Sequence, residues 1–200
     1  MNDFISLFVI ILIITIFYTH LESKSMEVAY VKSKIDGKEY LVRKRDDMQE
    51  AADLLSVLNV NLTKLINYVD SKSKTTSNYT TKNIKDIKRL KNNYNEEHIS
   101  ESNPGNSYTS YSINKGQKIV FCLRTKDDKK TLIDLNTITF VAIHELGHLM
   151  TKSIGHKPEF WDNMIFLLKE AISIGIYKKQ DFNRNPVKYC GITINDTPLK

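Results

Sequence analysis

The pattern of apolar and polar positions predicts a hairpin and then a long helix in the first part of the chain. Between residues 27 and 44, two short apolar segments flank the turn dipeptide Asp36-Gly37, which is typical of a β-hairpin. From Asp47 to Val69, apolar residues recur at the i, i+3, i+4, i+7 spacing of an amphipathic helix. Asp47 and Glu50 resemble a capping box at its start. We expect this helix to contribute a core stripe.

A polar linker and a second, basic helix are predicted to follow. Residues 71–78 are polar, and the apolar positions of residues 81–94 follow a helical spacing. The other faces of this helix carry five basic residues: Lys82, Lys85, Lys88, Arg89 and Lys91. They could form a phosphate-binding surface, although a solvated helix face is the favoured interpretation. Residues 96–106 are predicted to form a loop with a turn at Pro104-Gly105.

The second half of the chain predicts another hairpin followed by two helices. Strands at 108–113 and 117–123 are separated by the turn residues Asn114-Lys115-Gly116, and the apolar run 119–123 indicates a buried strand. Residues 133–150 are expected to be mostly one buried helix. Pro158 suits the first turn of a further helix with one apolar face.

The N-terminal segment 4–18 is apolar and uncharged, and it predicts a single-pass transmembrane helix. A cleaved signal peptide fits less well, because no basic residue precedes the segment and no small-x-small cleavage site follows it. A buried core helix is the third possibility. The sequence therefore predicts a membrane anchor at residues 1–24 and a second domain at residues 25–200.

The side of the membrane is predicted from the flanking charges. Three lysines follow the apolar segment, namely Lys24, Lys32 and Lys34, so the positive-inside rule favours a cytosolic second domain. Glycosylation sequons point to the opposite side; they begin at Asn61, Asn78 and Asn195. In a chain this rich in Asn, Ser and Thr, such sequons also arise by chance.

Composition adds limited information. A chain of 200 residues suits one domain with an appendage, and its net charge of +6 permits contact with nucleic acid or anionic lipid without demonstrating either. Cys122 and Cys190 are too few for a disulfide scaffold and form no C-x-x-C pair. They could form one bridge, but two free thiols are the favoured interpretation.

The chemistry of the chain is concentrated in the H-E-x-x-H motif at residues 144–148. Residues four apart lie on one face of a helix, so His144 and His148 can bind one metal ion. Glu145, beside them, can accept a proton from a metal-bound water. Neutral imidazoles suit zinc, and a catalytic site uses three protein ligands. The motif thus predicts one catalytic Zn²⁺ ion.

Two residues are candidates for the third ligand. Gly155 can end the motif helix and turn the chain back, which would direct His156 at the ion. Glu170, on the next helix, is the alternative and would make the site resemble the thermolysin class. His156 is the favoured ligand.

The order HELGH, Gly155-His156 and Glu159-Phe160-Trp161 resembles the SprT/WLM-type zincins, and segments 111–124 and 189–191 resemble zinc metallopeptidases of large DNA viruses. The resemblance covers residues 108–198 well and residues 28–69 weakly. It implies an α+β fold with a minigluzincin-like core, in which a small sheet packs on the HExxH helix. It also implies that His144, His148 and His156 are the ligands and that Glu145 is the base.

These observations favour a membrane-anchored zinc metallopeptidase that acts on protein or peptide substrates. Tyr189 is the candidate to stabilise the oxyanion, with Arg124 second, and packing or a surface charge is the equal alternative for both. An edge strand near residues 119–123 could hold the substrate. An inactive zinc-bearing binding module is one alternative. A protease of the DNA–protein crosslink repair type, with residues 81–94 contacting nucleic acid, is the other.

Overall fold

The computed structural model describes residues 2–24, 27–103 and 109–199. Five helices and seven strands lie within these ranges. In chain order they are α1 (Asn2–Lys24), β1 (Val28–Lys32), β2 (Glu39–Arg43), α2 (Met48–Thr75), α3 (Thr81–Asn93), β3 (Ile99–Glu101), β4 (Ser110–Ile113), β5 (Lys118–Phe121), α4 (Leu135–Met150), α5 (Pro158–Ser173), β6 (Val187–Tyr189) and β7 (Ile192–Ile194). The predicted α+β class is confirmed.

Five strands form one mixed sheet in the order β1-β2-β3-β5-β4. The two predicted hairpins, β1–β2 and β4–β5, are antiparallel, and the short strand β3 joins them by pairing in parallel with both β2 and β5. β5 is thus an interior strand, as its apolar sequence predicted, and Ile119 and Phe121 are fully buried. β4 lies at the edge of the described sheet.

The helices cover this sheet. α2 packs against β1, β2 and β3, and α4 contacts β4 as well as α2, α3 and α5. The predicted stripe of α2 is buried, with Leu55, Leu58, Leu62 and Leu65 fully inaccessible. Burying an aliphatic side chain of this size contributes about 1.5–3 kcal/mol, so the stripe is a main source of stability. These contacts fix α4 beside the edge strand β4.

Helix α2 differs from its prediction at both ends. It continues to Thr75, through most of the predicted linker. Charged contacts support the extension: Lys72 donates to Glu170 of α5 at 2.8 Å, and Asp70 accepts from Lys91 of α3 at 2.5 Å. At its start, Asp47 makes no capping hydrogen bond, because its carboxylate pairs with Arg124. The predicted capping box is wrong.

Two short elements lie where the sequence indicated no regular structure. β3 falls in the predicted loop 96–106. Its Glu101 is buried, and the carboxylate accepts hydrogen bonds from Arg124 Nε at 2.9 Å and from the Arg43 backbone N–H at 2.7 Å. The β6–β7 hairpin follows α5 near the C-terminus. The predicted turn at Pro104-Gly105 lies outside the described residues.

The two cysteines form a disulfide, which corrects the prediction of free thiols. Cys122 lies directly after β5, and Cys190 lies in the turn between β6 and β7. Both residues are buried. Residues 68 positions apart in sequence meet because the C-terminal hairpin folds back against the end of β5.

The N-terminal helix α1 carries exposed apolar side chains along residues 5–18, for example Phe8, which is 67% exposed. Within the described part of the chain, no helix combines the length and the apolar character needed to cross a bilayer. The predicted transmembrane helix is therefore not supported by the structure. The domain boundary at residues 24 and 25 stays a prediction.

Candidate metal centre

The motif helix α4 begins at a well-defined cap and is buried on most of its surface. The Asp134 carboxylate accepts a hydrogen bond from the backbone N–H of Thr137 at 2.9 Å, which satisfies one of the free donors of the first turn. Apolar residues before and after the motif, including Ile143, Leu146 and Leu149, are fully buried. The helix is thus anchored by its core contacts, and its histidines lie at the boundary between core and solvent.

Three histidines converge at this boundary. His144 Nε2 lies 3.2 Å from His148 Nε2 and 3.0 Å from His156 Nε2. The ligand atoms of all three lie within 4.8 Å of one another, a separation that permits shared coordination of one ion. His156 reaches the cluster from the loop after α4, in which Gly155 adopts a left-handed φ of 78°. The structure therefore brings together the three ligands that the sequence predicted.

The alternative third ligand is elsewhere. Glu170 accepts hydrogen bonds from Lys72 Nζ at 2.8 and 3.1 Å, on the face of α5 that packs against α2. Its carboxylate is not in the histidine cluster found among the described residues.

The histidines are chemically suited to bind a metal. Burial, together with the neighbouring imidazoles, lowers the pKa of His144 to about 3. Burial and the proximity of His156 and Lys115 lower the pKa of His148 to about 4. At neutral pH both rings are therefore unprotonated and keep a lone pair for coordination. Three imidazoles beside an open cleft fit a catalytic zinc ion, since zinc accepts His₃ sites with a fourth position for water.

A single phenylalanine packs against all three imidazoles. The centroid of the Phe160 ring lies 4.4 Å from that of His148, 4.7 Å from that of His156 and 4.8 Å from that of His144. Phe160 is fully buried on α5. A glycine permits this approach, because a Cβ at Gly147 would lie 3.0 Å from Phe160 Cε2. The sequence analysis placed Phe160 in the segment that resembles the SprT/WLM-type zincins, but its contact with the three histidines was not predicted.

Glu145 is positioned as the predicted base. Its side chain lines the same cleft as the three histidines, and the residue is only 4% exposed. Burial raises its pKa to about 7, although contacts with the side chain and backbone of Ser112 on β4 lower it in part. A carboxyl group with a pKa near the working pH can both accept and return a proton.

The cleft has a volume of about 590 Å³ and runs between β4 and the loop after α4. One wall consists of residues 109–112 with Asn114 and Lys115, and the other of residues 153–156. The predicted position of the edge strand is wrong, because residues 119–121 belong to the interior strand β5. β4 is the strand that borders the cleft, which agrees with the apolar run 119–123 that indicated a buried β5.

The two candidate oxyanion donors lie away from the described cleft lining. The Tyr189 hydroxyl lies 2.6 Å from Ser110 Oγ, and the residue is 1% exposed. Burial raises the pKa of Tyr189, and the nearby Glu145 carboxylate raises it further. Tyr189 is thus buried and hydrogen-bonded to Ser110 of β4, which itself lines the cleft. Arg124 is buried against Glu101 and Asp47, so its prediction as an oxyanion donor is wrong.

The basic face of α3 is largely paired. Lys82 and Arg89 bind Asp86 at 3.0 and 2.5 Å. Lys91 binds Asp70 at 2.5 Å, and Arg89 also donates to the Met150 carbonyl at 2.7 Å. Much of the predicted phosphate-binding charge is therefore used within the fold.

Comparison with known proteins identifies the family. Residues 71–197 match the model of the WLM domain, which is more than half of the chain. The chain belongs to the WLM domain family. The matched region includes α4, α5 and all three histidines of the cluster. Zinc metallopeptidase activity is associated with WLM proteins.

Similar proteins come from large DNA viruses. The chain is 32% identical over 191 residues to uncharacterized protein R325 of Acanthamoeba polyphaga mimivirus, covering 96% of this chain and 94% of the relative. It is 36% identical over 84 residues to uncharacterized protein 042R of Invertebrate iridescent virus 3, covering 42% of this chain and 50% of the relative. It is 34% identical over 83 residues to uncharacterized protein 136R of Invertebrate iridescent virus 6, covering 40% of this chain and 44% of the relative. No solved structure gives a significant match.

Proposed function

We propose that this WLM protein is a zinc-dependent metallopeptidase. His144, His148 and His156 would hold one zinc ion, and Glu145 would be the general base. The observation that carries the proposal is the convergence of three imidazole Nε2 atoms in the cleft that Glu145 also lines. An inactive binding module would not need Glu145, so the intact motif favours an enzyme.

Bound zinc supplies a Lewis acid that lowers the pKa of water and polarises a carbonyl group. The residues of the chain supply the proton transfers. Glu145 accepts a proton from the attacking water and passes it to the leaving amine. Its pKa of about 7 suits both steps, because the same carboxyl group must be unprotonated first and protonated later.

The position of β4 at the edge of the described sheet is evidence for a protein or peptide substrate. Ser110, Tyr111 and Ser112 line the cleft, and β5 is the paired neighbour of β4 on its other side. An extended peptide could add to such an edge through backbone hydrogen bonds, as substrates and ligands do at exposed sheet edges. This arrangement would bring a peptide carbonyl beside Glu145.

Attachment to a membrane through α1 is a second part of the proposal. The exposed apolar side chains of residues 5–18 support it, since a lipid surface would remove them from water. The lysines at 24, 32 and 34 favour the cytosolic side. The Cys122–Cys190 disulfide favours the opposite, oxidising side. Carbonate extraction tests the attachment, and protease protection of membrane vesicles tests the side.

A role in DNA–protein crosslink repair has weaker support. Lys85 and Lys88 are exposed on α3, but the other three basic side chains of that face form ion pairs. Salt-dependent DNA binding by the purified chain would favour this alternative.

The central test compares the full-length chain in mild detergent with its Glu145→Gln variant. We expect both to bind about one zinc ion per chain and only the parent to cleave casein or itself. Glu97→Gln, a matched change at an exposed position, should retain activity. If the parent binds zinc and does not cleave even with DNA added, the binding-module alternative replaces the peptidase. Failure of the parent to bind zinc would overturn the metal centre itself.

A further inference from the structure

The C-terminal end of α4 is held by donors from two other elements, helix α3 and the β4–β5 turn. The last carbonyls of a helix lack partners within it and need donors from outside. Here the Leu149 carbonyl accepts from Asn93 Nδ2 at 3.0 Å, and the Met150 carbonyl accepts from Arg89 Nη1 at 2.7 Å. Both donors belong to α3. The remaining carbonyls at this end converge on Lys115.

Lys115 projects from the β4–β5 turn into the segment that follows the metal-binding helix. Its Nζ lies 3.5 Å from the carbonyl oxygen of His148, 3.1 Å from that of Lys152 and 3.0 Å from that of Ser153. It also donates to the Thr151 carbonyl. An ammonium group has three donors, so four converging carbonyls use its full capacity. Its positive charge also complements the negative end of the helix dipole.

The turn that carries Lys115 has a conformation that few sequences adopt. Asn114 and Lys115 have φ angles of 45° and 54°, and Gly116 has a φ of 114°. A Cβ at Gly116 would lie 1.9 Å from the Asn93 carbonyl oxygen, so only glycine fits against the end of α3. The turn is thereby fixed to the same helix that caps α4. Backbone strain of this kind persists only where the surroundings determine it.

The loop held by Lys115 carries the third histidine. Ser153 also donates to the Glu159 carboxylate, through its hydroxyl at 2.9 Å. Residues 154–157 are exposed, and His156 lies among them. The Phe160 ring contacts His156 from the core, and the contacts at residues 151–153 fix the start of its loop.

We propose that Lys115 is a positioning residue of the metal centre. By binding the carbonyls of residues 148 and 151–153, it holds the loop so that His156 faces His144 and His148. Lys115 acts through His156 and does not coordinate the ion. The inference rests on the proposed function, because it requires the three histidines to bind a metal.

The test measures zinc affinity of the full-length chain by competition with a chromophoric chelator. Lys115→Met should weaken zinc binding by about 10–100-fold, which is typical for loss of an interaction that orients a ligand. His156→Ala should weaken it at least as much. Lys152→Met is the matched control, because Lys152 belongs to the same loop and contributes its backbone carbonyl, while its side chain is exposed. It should bind zinc like the parent.

The double variant distinguishes positioning from general destabilisation. If Lys115 acts through His156, Lys115→Met adds no further loss to His156→Ala, because residues acting as one unit are not additive. The visible spectrum of the cobalt-substituted protein should change in the same way in both single variants. Full additivity, or a parent-like zinc affinity in Lys115→Met, overturns the inference.

The remaining outcomes separate this inference from the proposed function. If Lys115→Met does not fold, Lys115→Gln replaces it. The amide is shorter, uncharged and has one donor fewer than the ammonium group, so zinc binding should still weaken, and parent-like affinity there also overturns the inference. If His156→Ala binds zinc like the parent, or the parent binds none, the proposed ligand set fails and the inference fails with it. If His156→Ala loses affinity and Lys115→Met does not, only the inference fails.

Discussion

The contact of Phe160 with the three imidazoles predicts a specific effect of shortening its side chain. Leucine keeps an apolar side chain at the position but loses the ring faces and edges that touch His144, His148 and His156. We therefore expect Phe160→Leu to lower both the stability of the fold and the affinity for zinc.

The two effects have different magnitudes. Each aromatic pair contributes about 0.5–1.5 kcal/mol beyond the area it buries, so three pairs set an upper limit of roughly 4.5 kcal/mol. Most of this affects the metal-free and metal-bound states equally and lowers stability alone. Only the part that orients the imidazoles changes zinc affinity. If that part is about one pair, zinc binding weakens about tenfold, which corresponds to roughly 1.4 kcal/mol.

Phe182→Leu provides the matched control. Phe182 is also fully buried, and its ring contacts Phe140 at 4.8 Å. Urea unfolding of the metal-free proteins should show similar losses of stability for the two variants. Chelator competition should show weaker zinc binding for Phe160→Leu alone. Equal zinc affinities in the two variants would refute the argument that the Phe160 ring orients the ligands.

Three further changes test other parts of the fold. Gly147→Ala places a Cβ 3.0 Å from the Phe160 ring, so thermal unfolding should show a loss of about 1–3 kcal/mol from overpacking. Burial alone would raise the pKa of the Asp86 carboxyl group, but hydrogen bonds from Arg89 and Lys82 lower it below the ordinary value of 3.8. The ionised carboxylate therefore stabilises the fold above pH 3.8, and this stabilisation is lost as the pH falls through the lowered pKa. The free energy of unfolding in urea should therefore depend less on pH below about 4 for Asp86→Asn than for the parent. Replacing both Cys122 and Cys190 by serine opens a loop of 68 residues and should lower the free energy of unfolding by about 4 kcal/mol. A reducing agent should lower the stability of the parent by a similar amount and should leave that of the variant unchanged.

The elements that the sequence predicted correctly are those with strong local patterns. The stripe of α2 and the turn at Asp36-Gly37 can be recognised from neighbouring residues alone, and the structure has both. The ligand pair His144 and His148 follows from helical geometry, because a four-residue spacing fixes their shared face. His156 was predicted from Gly155, which does have a left-handed φ of 78°, but Gly155 lies in the following loop and α4 already ends at Met150.

The errors concern residues whose role depends on distant partners. Asp47 fits a capping box by spacing, but it pairs instead with Arg124, which lies 77 residues away. Arg124 was expected in the site for its charge, and its buried partner Glu101 lies on a strand of three residues that has no distinctive sequence. A short strand paired on both sides gains its stability from the sheet and not from local propensity.

The cysteines and Lys115 show the same limit at the site itself. Whether Cys122 and Cys190 pair depends on the β6–β7 hairpin folding against β5, which no local pattern indicates. Lys115 looks like an ordinary charged residue in a hairpin turn, and its partners are backbone carbonyls, which every sequence has. The sequence therefore displays the predicted metal ligands, because their chemistry is rare. It conceals the groups that orient them, because a backbone carbonyl can be bound by any nearby donor and only the fold determines which one.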